Sequence, residues 1–311
     1  MDWLIAAPVW GRAYAHRFLG QALPSIRAAL DHAGVRARWI VHTDHRDALD
    51  QAMAGLDVAF RAVPGEGDLY RRFGDAHRDA LASAPDGAAV ALLTADIVVS
   101  RETFAACETR FAAGRRAVVA AATRTLAPVA ASIGAASAEL LDWTMRHPHP
   151  MVRACFWGQG DGPEAGRSST PWAVYFRESG RTILRGLHLH PLAVVKDRPL
   201  AFDGTLDQGL LDRFARHEIH CVTDRDELAM AELSPADRNF SLRRRGEAMT
   251  AASIADWART HARPVHWWLS THRIVIEGDA GPTADIGVWR QVLASPHAPD
   301  TAEREMPDVR G

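Results

Sequence analysis

The sequence predicts an α/β protein, a mostly parallel sheet flanked by helices, with a helical C-terminal extension. Three observations predict it. Short apolar runs alternate with amphipathic segments of helical period from Asp2 to Thr125, the rhythm of a parallel sheet covered by helices. The run AAVALL, Ala88–Leu93, is apolar on both faces, as a strand buried on both sides must be. Beyond Pro235 the chain turns helical and rich in tryptophan through SIADWARTHARPVHWWLSTH.

Composition sets limits on function. With 311 residues, 47% hydrophobic and 24% charged, the chain can bury a sizeable core. The expected division is 1–235 as the main domain and 236–311 as an extension packed on it. A net charge of −2 provides no field to draw nucleic acid or an anionic membrane. Lys196 is the only lysine, so the arginines read as a compositional habit, and Arg243-Arg244-Arg245 as a solvated helix face. Cys107, Cys155 and Cys221 are too far apart for a zinc site and imply no disulfide framework. No apolar stretch is long enough to span a bilayer. MDWLIAAPVW reads as a first core strand and not as a signal peptide, and a reducing, cytoplasmic location is expected.

The elements follow in order. Asp2–Ala7 is the first strand, ending in Pro8-Val9-Trp10-Gly11. A helix follows with Tyr14, Phe18, Ala22, Ile26 and Leu30 on one face, and Pro24 should kink or break it. Arg38–His42 is the second strand, ending at Thr43-Asp44; the next helix closes at Gly55. Asp57–Val63 is the third strand and Leu69–Ala84 the helix that carries His77. The central strand runs to Thr94-Ala95-Asp96, and Ser100 fits as N-cap of the next helix. Ala117–Ala122 is a fifth strand, followed by Thr123-Arg124-Thr125. Then come a helix stopped at Pro148–Pro150, a glycine-rich loop over 157–169, and a hairpin turning at Ser179-Gly180. Gly186–His190 leads into the apolar run PLAVV, DGTLDQ opens a helix at Asp203–Gln208, and Glu218–Thr223 is a further short strand.

Asp96 stands at the carboxyl end of the central strand, where open α/β sheets bind ligands; a turn aspartate bonded to its own backbone is the alternative. No GxGxxG or GxxxxGK[ST] is present, which excludes the dinucleotide and P-loop signatures. His188 and His190, two apart, would share one face of a strand. They could serve a metal or a phosphate there, or be two ordinary polar-face histidines. Arg124 sits where it can reach a phosphate, with Arg12 and Arg72 as weaker candidates. Trp157, with Gly158 beside it, could stack on an acceptor ring.

Taken together, PVWG after the first strand, Thr43-Asp44, the helix HRDALASAPDGAAV, Thr94-Ala95-Asp96 and the later histidine and carboxylate segments resemble the GT-A fold of nucleotide-sugar-dependent glycosyltransferases. The resemblance covers roughly residues 1–235. It implies a Rossmann-type sheet that binds a nucleotide-diphosphate sugar through Pro8, Val9, Trp10, Thr43, Asp44, His77, Thr94, Ala95, Asp96 and Arg124. It also implies Mn²⁺ or Mg²⁺ held by Asp96 with His188 or His190, and a glycan or small hydroxyl acceptor near Trp157 and Gly158. Asp207 would be the base, with Asp203 as fallback; Thr205 and Gln208 also spell a capping box. The family's Asp-x-Asp is degenerate here, since Thr94 replaces the first carboxylate, and one carboxylate holds a hard cation more weakly. A non-catalytic nucleotide- or sugar-binding relative, or a metal hydrolase built on His188 and His190, are the alternatives.

Overall fold

A computed structural model describes residues 1–65, 68–126, 133–158, 165–235, 242–243, 247–279, 281 and 283–295. The first strand, β1 (Trp3–Val9), is buried along its whole length. Its even residues Leu4 and Ala6 join one core cluster while Trp3, Ile5, Ala7 and Val9 join the other. That two-sided burial is why the strand reads as a continuous apolar run.

The helical stretch after β1 is broken as Pro24 foretells: α1 (Arg12–Arg17), a π-helical turn (Phe18–Ala22) and α2 (Leu23–Ala33). Residues four apart drift around an ordinary α-helix. The wider π turn offsets that drift, so Phe18, Ala22 and Ile26 all stay buried. Next come β2 (Ala37–Thr43), α3 (Arg46–Ala52), β3 (Asp57–Arg61) and α4 (Leu69–Ser83). Asp68 caps α4 by accepting the Arg71 amide at 2.9 Å. The central strand β4 (Ala89–Leu92) leads to β5 (Ile97–Val99) and α5 (Thr103–Ala112).

Ser100 is not the cap of α5, whose N-cap is Glu102. Its hydroxyl accepts the Ala229 amide at 3.0 Å and bonds the Ser137 hydroxyl at 2.9 Å, tying three segments together. The fifth strand splits into β6 (Ala117–Ala120) and β7 (Ala122–Thr125). Helices α6 (Ser137–Arg146) and α7 (Pro150–Ala154) precede the hairpin β8 (Ala173–Glu178) and β9 (Arg181–Gly186). Ser179 and Gly180 both have positive φ, 50° and 78°, the backbone of a two-residue hairpin turn.

The strand β10 (His190–Val195) begins at His190, so His188 lies outside it and the two histidines do not share a strand face. The segment opened by DGTLDQ makes only one α turn, α8 (Leu206–Gly209), followed by two 3₁₀ turns. Last come β11 (Ile219–Cys221), β12 (Met230–Leu233), α9 (Ala251–His261), α10 (Pro264–Ser270), β13 (Ile274–Glu277) and α11 (Asp285–Leu293). The C-terminal part is mostly helical, with β13 added as an edge strand on β9. Arg244 and Arg245 lie outside the described residues. Arg243 lies outside any helix and donates to the Ser168 carbonyl.

The main sheet has the order β3-β2-β1-β4-β10-β6-β11. Strands β1 to β4 run parallel, and β10 runs antiparallel to both of its neighbours. After β3 the chain returns to the other side of β1 as β4, which makes the β1–β4 boundary a topological switch point. Ligands of open α/β sheets bind outside the carboxyl ends of the strands there. At those ends the chain leaves the main sheet and re-forms a small one, β5-β12-β7. Thr94–Asp96 and Ala121 are the breaks between the two sheets. No helix among the described residues is long and apolar enough to cross a membrane.

Candidate functional site

Two cavities meet above the carboxyl ends of β4 and β6. One, about 220 Å³, is lined by Tyr14, Tyr70, Phe73, His77, Thr94 and Asp96 among others. The other, about 280 Å³, is walled by Met151, Trp172, Leu184, His188, Leu189 and Trp257 among others. Arg124, His190, Asp207 and Glu232 line both. A broader hollow below them includes Arg71, Arg78, Asp203 and again Asp207.

The small sheet assembles the charged wall. Residue 232 of β12 is registered against Arg124 of β7 and Ile97 of β5. That register sets Arg124 Nε 2.8 Å from Glu232 Oε1, and the Leu233 amide donates to the Asp96 carbonyl at 2.9 Å. Asp96 is buried, and its Oδ1 accepts the Thr94 hydroxyl at 2.7 Å. Burial raises the Asp96 carboxyl well above its ordinary range, and the charge of Glu232 raises it further. The Thr94 bond and Arg124 only partly oppose that rise.

The histidines divide by their partners. His77 is buried on α4, with its ring nitrogens 3.0 Å from the Phe73 carbonyl and 3.1 Å from that of Leu93. Burial holds it neutral, down to about 4. His190 points Nε2 at the Leu92 carbonyl at 2.6 Å, and burial lowers it as well. His188 has Nδ1 3.2 Å from Asp207 Oδ2 and Nε2 2.9 Å from the His261 carbonyl. The ring thus bridges the Asp207 side chain and the main chain at the end of the His261 segment.

Asp207, in the single turn α8, is the most heavily held carboxylate of the wall. The Thr205 hydroxyl donates to Oδ1, and the His266 ring donates from Nε2 to the Asp207 main-chain carbonyl. The Thr205 hydroxyl is thus spent on Asp207 and makes no cap bond to the helix backbone. Burial pushes the Asp207 carboxyl up, but hydrogen bonds from His188 and Thr205 and the nearby imidazoles outweigh it. The group is left at about 2, ionised at neutral pH.

Of the residues expected at the site, Thr94, Asp96, His77, Arg124, His188, His190 and Asp207 converge on the paired cavities, and Asp203 lines the neighbouring hollow. Pro8, Val9, Trp10, Thr43 and Asp44 line neither cavity. Trp10 packs against Phe73, ring centres 4.5 Å apart, and so backs the 220 Å³ cavity from behind. Asp44 accepts the Gly11 amide at 3.0 Å and Thr43 the His45 amide at 2.9 Å, which ties the end of β2 to the turn after β1. Ala95 is buried in the core. Trp157 stacks on Phe176 with centres 6.0 Å apart in the C-terminal core, and neither it nor Gly158 lines the cavities. Of the glycine-rich loop, residues 159–164 lie outside the described residues.

The wall also holds groups that sequence reasoning missed. Glu232 sits in β12, a four-residue strand with no flanking turn signal. Trp172 and Trp257, from the middle and the C-terminal part of the chain, line the 280 Å³ cavity together. The Trp172 indole N–H is buried with no hydrogen-bond partner among the described residues.

The side chains do not fit the expected Mn²⁺ or Mg²⁺. Such an ion needs several converging oxygen ligands. Here Asp96 Oδ1 accepts a hydrogen bond from the Thr94 hydroxyl, Glu232 is tied to Arg124, and His188 is bonded at both nitrogens. Among the described residues no three His, Cys, Asp or Glu side chains gather where a metal could sit. The same finding removes the support for a metal hydrolase built on His188 and His190.

No protein-family model matches the chain, and no curated protein matches it. Among solved structures, residues 1–349 of S. aureus TarS in complex with UDP-GlcNAc align at 11% identity and a TM-score of 0.37, over 94% of this chain and 70% of that one. The same TarS fragment in complex with UDP gives 10% identity and 0.37, over 94% and 70%. A putative glucose-1-phosphate thymidylyltransferase from Bacillus anthracis, in complex with a sucrose, gives 11% and 0.31 over 41% of this chain and 56% of that one. Likeness at this level assigns no function; the side chains of the cleft have to do so.

Proposed function

We propose that this protein is a glycosyltransferase that moves a sugar from a nucleotide-diphosphate sugar to a hydroxyl acceptor. One observation carries the reading: a guanidinium, Arg124, and an ionised carboxylate, Asp207, stand on the common wall of two cavities at the switch point of the sheet. The cavity with Tyr14, Tyr70 and Phe73 suits the donor, with Thr94 and Asp96 at its floor. The cavity with Trp172 and Trp257 suits the acceptor, since indole faces pack on the apolar face of a ring and leave its hydroxyls free.

In the transfer, the acceptor oxygen forms a bond to the anomeric carbon as the bond from that carbon to the diphosphate oxygen breaks. The electron pair leaves on the diphosphate, and the acceptor proton passes to Asp207. Arg124 meets the growing charge of the leaving diphosphate, and its bond to Glu232 holds the guanidinium in place. Asp207 is unprotonated at neutral pH and needs only placement within hydrogen-bond reach of the acceptor hydroxyl.

The raised Asp96 carboxyl and the unfavourable metal donor set favour one second reading, a relative that binds the nucleotide or the sugar without transferring it. Thermal shift against UDP, GDP, ADP and dTDP and their sugars, each with EDTA and with MnCl₂, tests binding; sugar transfer to a panel of glycosides tests catalysis. A shift with acceptor-dependent transfer supports the enzyme, and a shift without transfer supports the binding relative. No shift with any nucleotide overturns both.

A further inference from the structure

Among the described residues, the C-terminal segment reaches the cleft at the corner where α9 ends and α10 begins. Four contacts come from that corner. The His261 carbonyl, at the last turn of α9, accepts from His188 Nε2 at 2.9 Å. The His266 ring donates to the main-chain carbonyl of Asp207. The centre of the His188 ring lies 5.4 Å from that of Trp257 and 4.6 Å from that of His266, both pairs tilted. His266 is itself fixed, because its Nδ1 accepts the Arg263 amide at 3.0 Å. Accepting at Nδ1 and donating at Nε2 defines one neutral tautomer. Burial, with His188 alongside, lowers this ring to about 4, which agrees. An ion pair between Arg263 and Asp212 fastens the same corner to the 3₁₀ turn after α8.

Asp207 needs this support. A four-residue helix has one turn's worth of hydrogen bonds and little stability of its own. Thr205 and His188 hold the carboxylate, while among the described residues His266 is the side chain bonded to the Asp207 carbonyl from outside the turn. A carboxylate displaced by about an ångström loses reach to its proton donor, at a cost on the order of a hundredfold in rate.

We infer that the α9–α10 corner is part of the active site, and that His266 and His188 are positioning residues that hold Asp207 at the wall between the two cavities. The inference rests on the transferase reading for its functional consequence, though not for the clamp itself. The end of α9 completes the arrangement, because the His261 carbonyl fixes the far nitrogen of the His188 ring whose near nitrogen meets Asp207.

Two measurements on the full chain test it. Amide hydrogen exchange needs no substrate: His266→Ala should speed exchange across Leu206–Leu210 at least tenfold and leave β1 and β4 unchanged. ¹⁵N-histidine NMR at neutral pH should show His266 as the neutral ring protonated at Nε2. Unchanged exchange in the variant, or a ring protonated at Nδ1, overturns the clamp. With transfer established, His266→Ala should lower kcat about 10–100-fold with nucleotide affinity within about twofold, and His266→Gln, whose amide reaches as far as Nε2, should restore most of it. Wild-type kcat in a folded His266→Ala protein overturns the functional claim. If that variant does not fold, His188→Asn decides: it keeps the bond to Asp207 and loses the link to His261, so kcat should fall about tenfold, and an unchanged kcat overturns the claim. A wild type that binds no nucleotide defeats the transferase reading, while exchange and NMR still judge the clamp.

Discussion

Asp96 and Asp207 line the same cavity, and their carboxyls are driven in opposite directions. Asp96 is buried beside a second carboxylate, Glu232, and its affinity for a proton rises. Burial pushes Asp207 up as well, though 38% of its side chain is open; His188 and the Thr205 hydroxyl outweigh that push, and it falls to about 2. Depth in the cleft therefore does not set the protonation state alone; the nearest partners act with it. A pair of acids pushed apart in this way suits divided roles. In the proposed transfer Asp207 is the anion available to take a proton, while Asp96 is the carboxyl held well above its ordinary range on the wall of the 220 Å³ cavity.

Four experiments would break or sharpen that contrast. The largest effect is expected at Asp207. Asp207→Asn keeps the shape and removes the anion, so sugar transfer should fall 10²–10⁴-fold while nucleotide binding by calorimetry stays within about twofold. A variant that transfers at the wild-type rate would remove Asp207 from the chemistry.

The next effect concerns a third carboxylate, Asp285, which is wholly buried. Its Oδ2 accepts Arg185 Nη2 at 2.7 Å and Nε at 3.0 Å, so α11 is anchored to β9. Asp285→Ala leaves the guanidinium buried and unpaired, and stability should drop by roughly 3–5 kcal/mol in urea unfolding. A loss below about 1 kcal/mol would show that the anchor of the C-terminal part is elsewhere.

Arg124 lies between the two cases. It is partly exposed, with 28% of its side chain open, so Arg124→Met should cost only about 1–2 kcal/mol. It should also raise the Asp96 carboxyl further, since a neighbouring positive charge is lost, and it should abolish the thermal shift with nucleotide. A shift kept intact would place the diphosphate elsewhere.

The smallest effect is a pH slope. A carboxyl whose folded pKa is raised binds its proton more tightly in the folded state, so stability falls as pH climbs from the unfolded pKa through the folded one. Asp96→Asn removes that term. The variant should gain on the wild type by about 1 kcal/mol between pH 5 and pH 8, read as a diverging pair of melting curves. For Asp207 the sign is reversed: its lowered pKa contributes stability above the unfolded pKa that is lost as pH falls toward 2. Parallel curves for Asp96→Asn would mean that the Asp96 carboxyl is not raised in the folded protein, and the contrast with Asp207 would fail.

Much of the fold could be read in the sequence, because it rests on local physics. Apolar runs such as AAVALL cannot face water on either side, and residues at helical spacing have one face to bury, so β1 to β4 and their helices stand close to where the pattern puts them. Ser179-Gly180 turns where two positive φ angles are needed. Asp96 and Arg124 were marked by their positions after apolar strands, and both stand on the cleft wall. The rest depended on distance in space. Glu232 gains meaning only when β12 settles between β5 and β7, and His266 only when α10 folds back 59 residues onto Asp207. Ser100 and Thr205 looked like helix caps, yet the distant Ala229 and Ser137 took the Ser100 hydroxyl and the side chain of Asp207, two residues on, took that of Thr205. Periodicity and turn chemistry act within a few residues, so the sequence alone determined the elements and the end of the sheet at which they open. Which charges share the cleft was decided by contacts between segments that are in places more than a hundred residues apart, which no local pattern encodes.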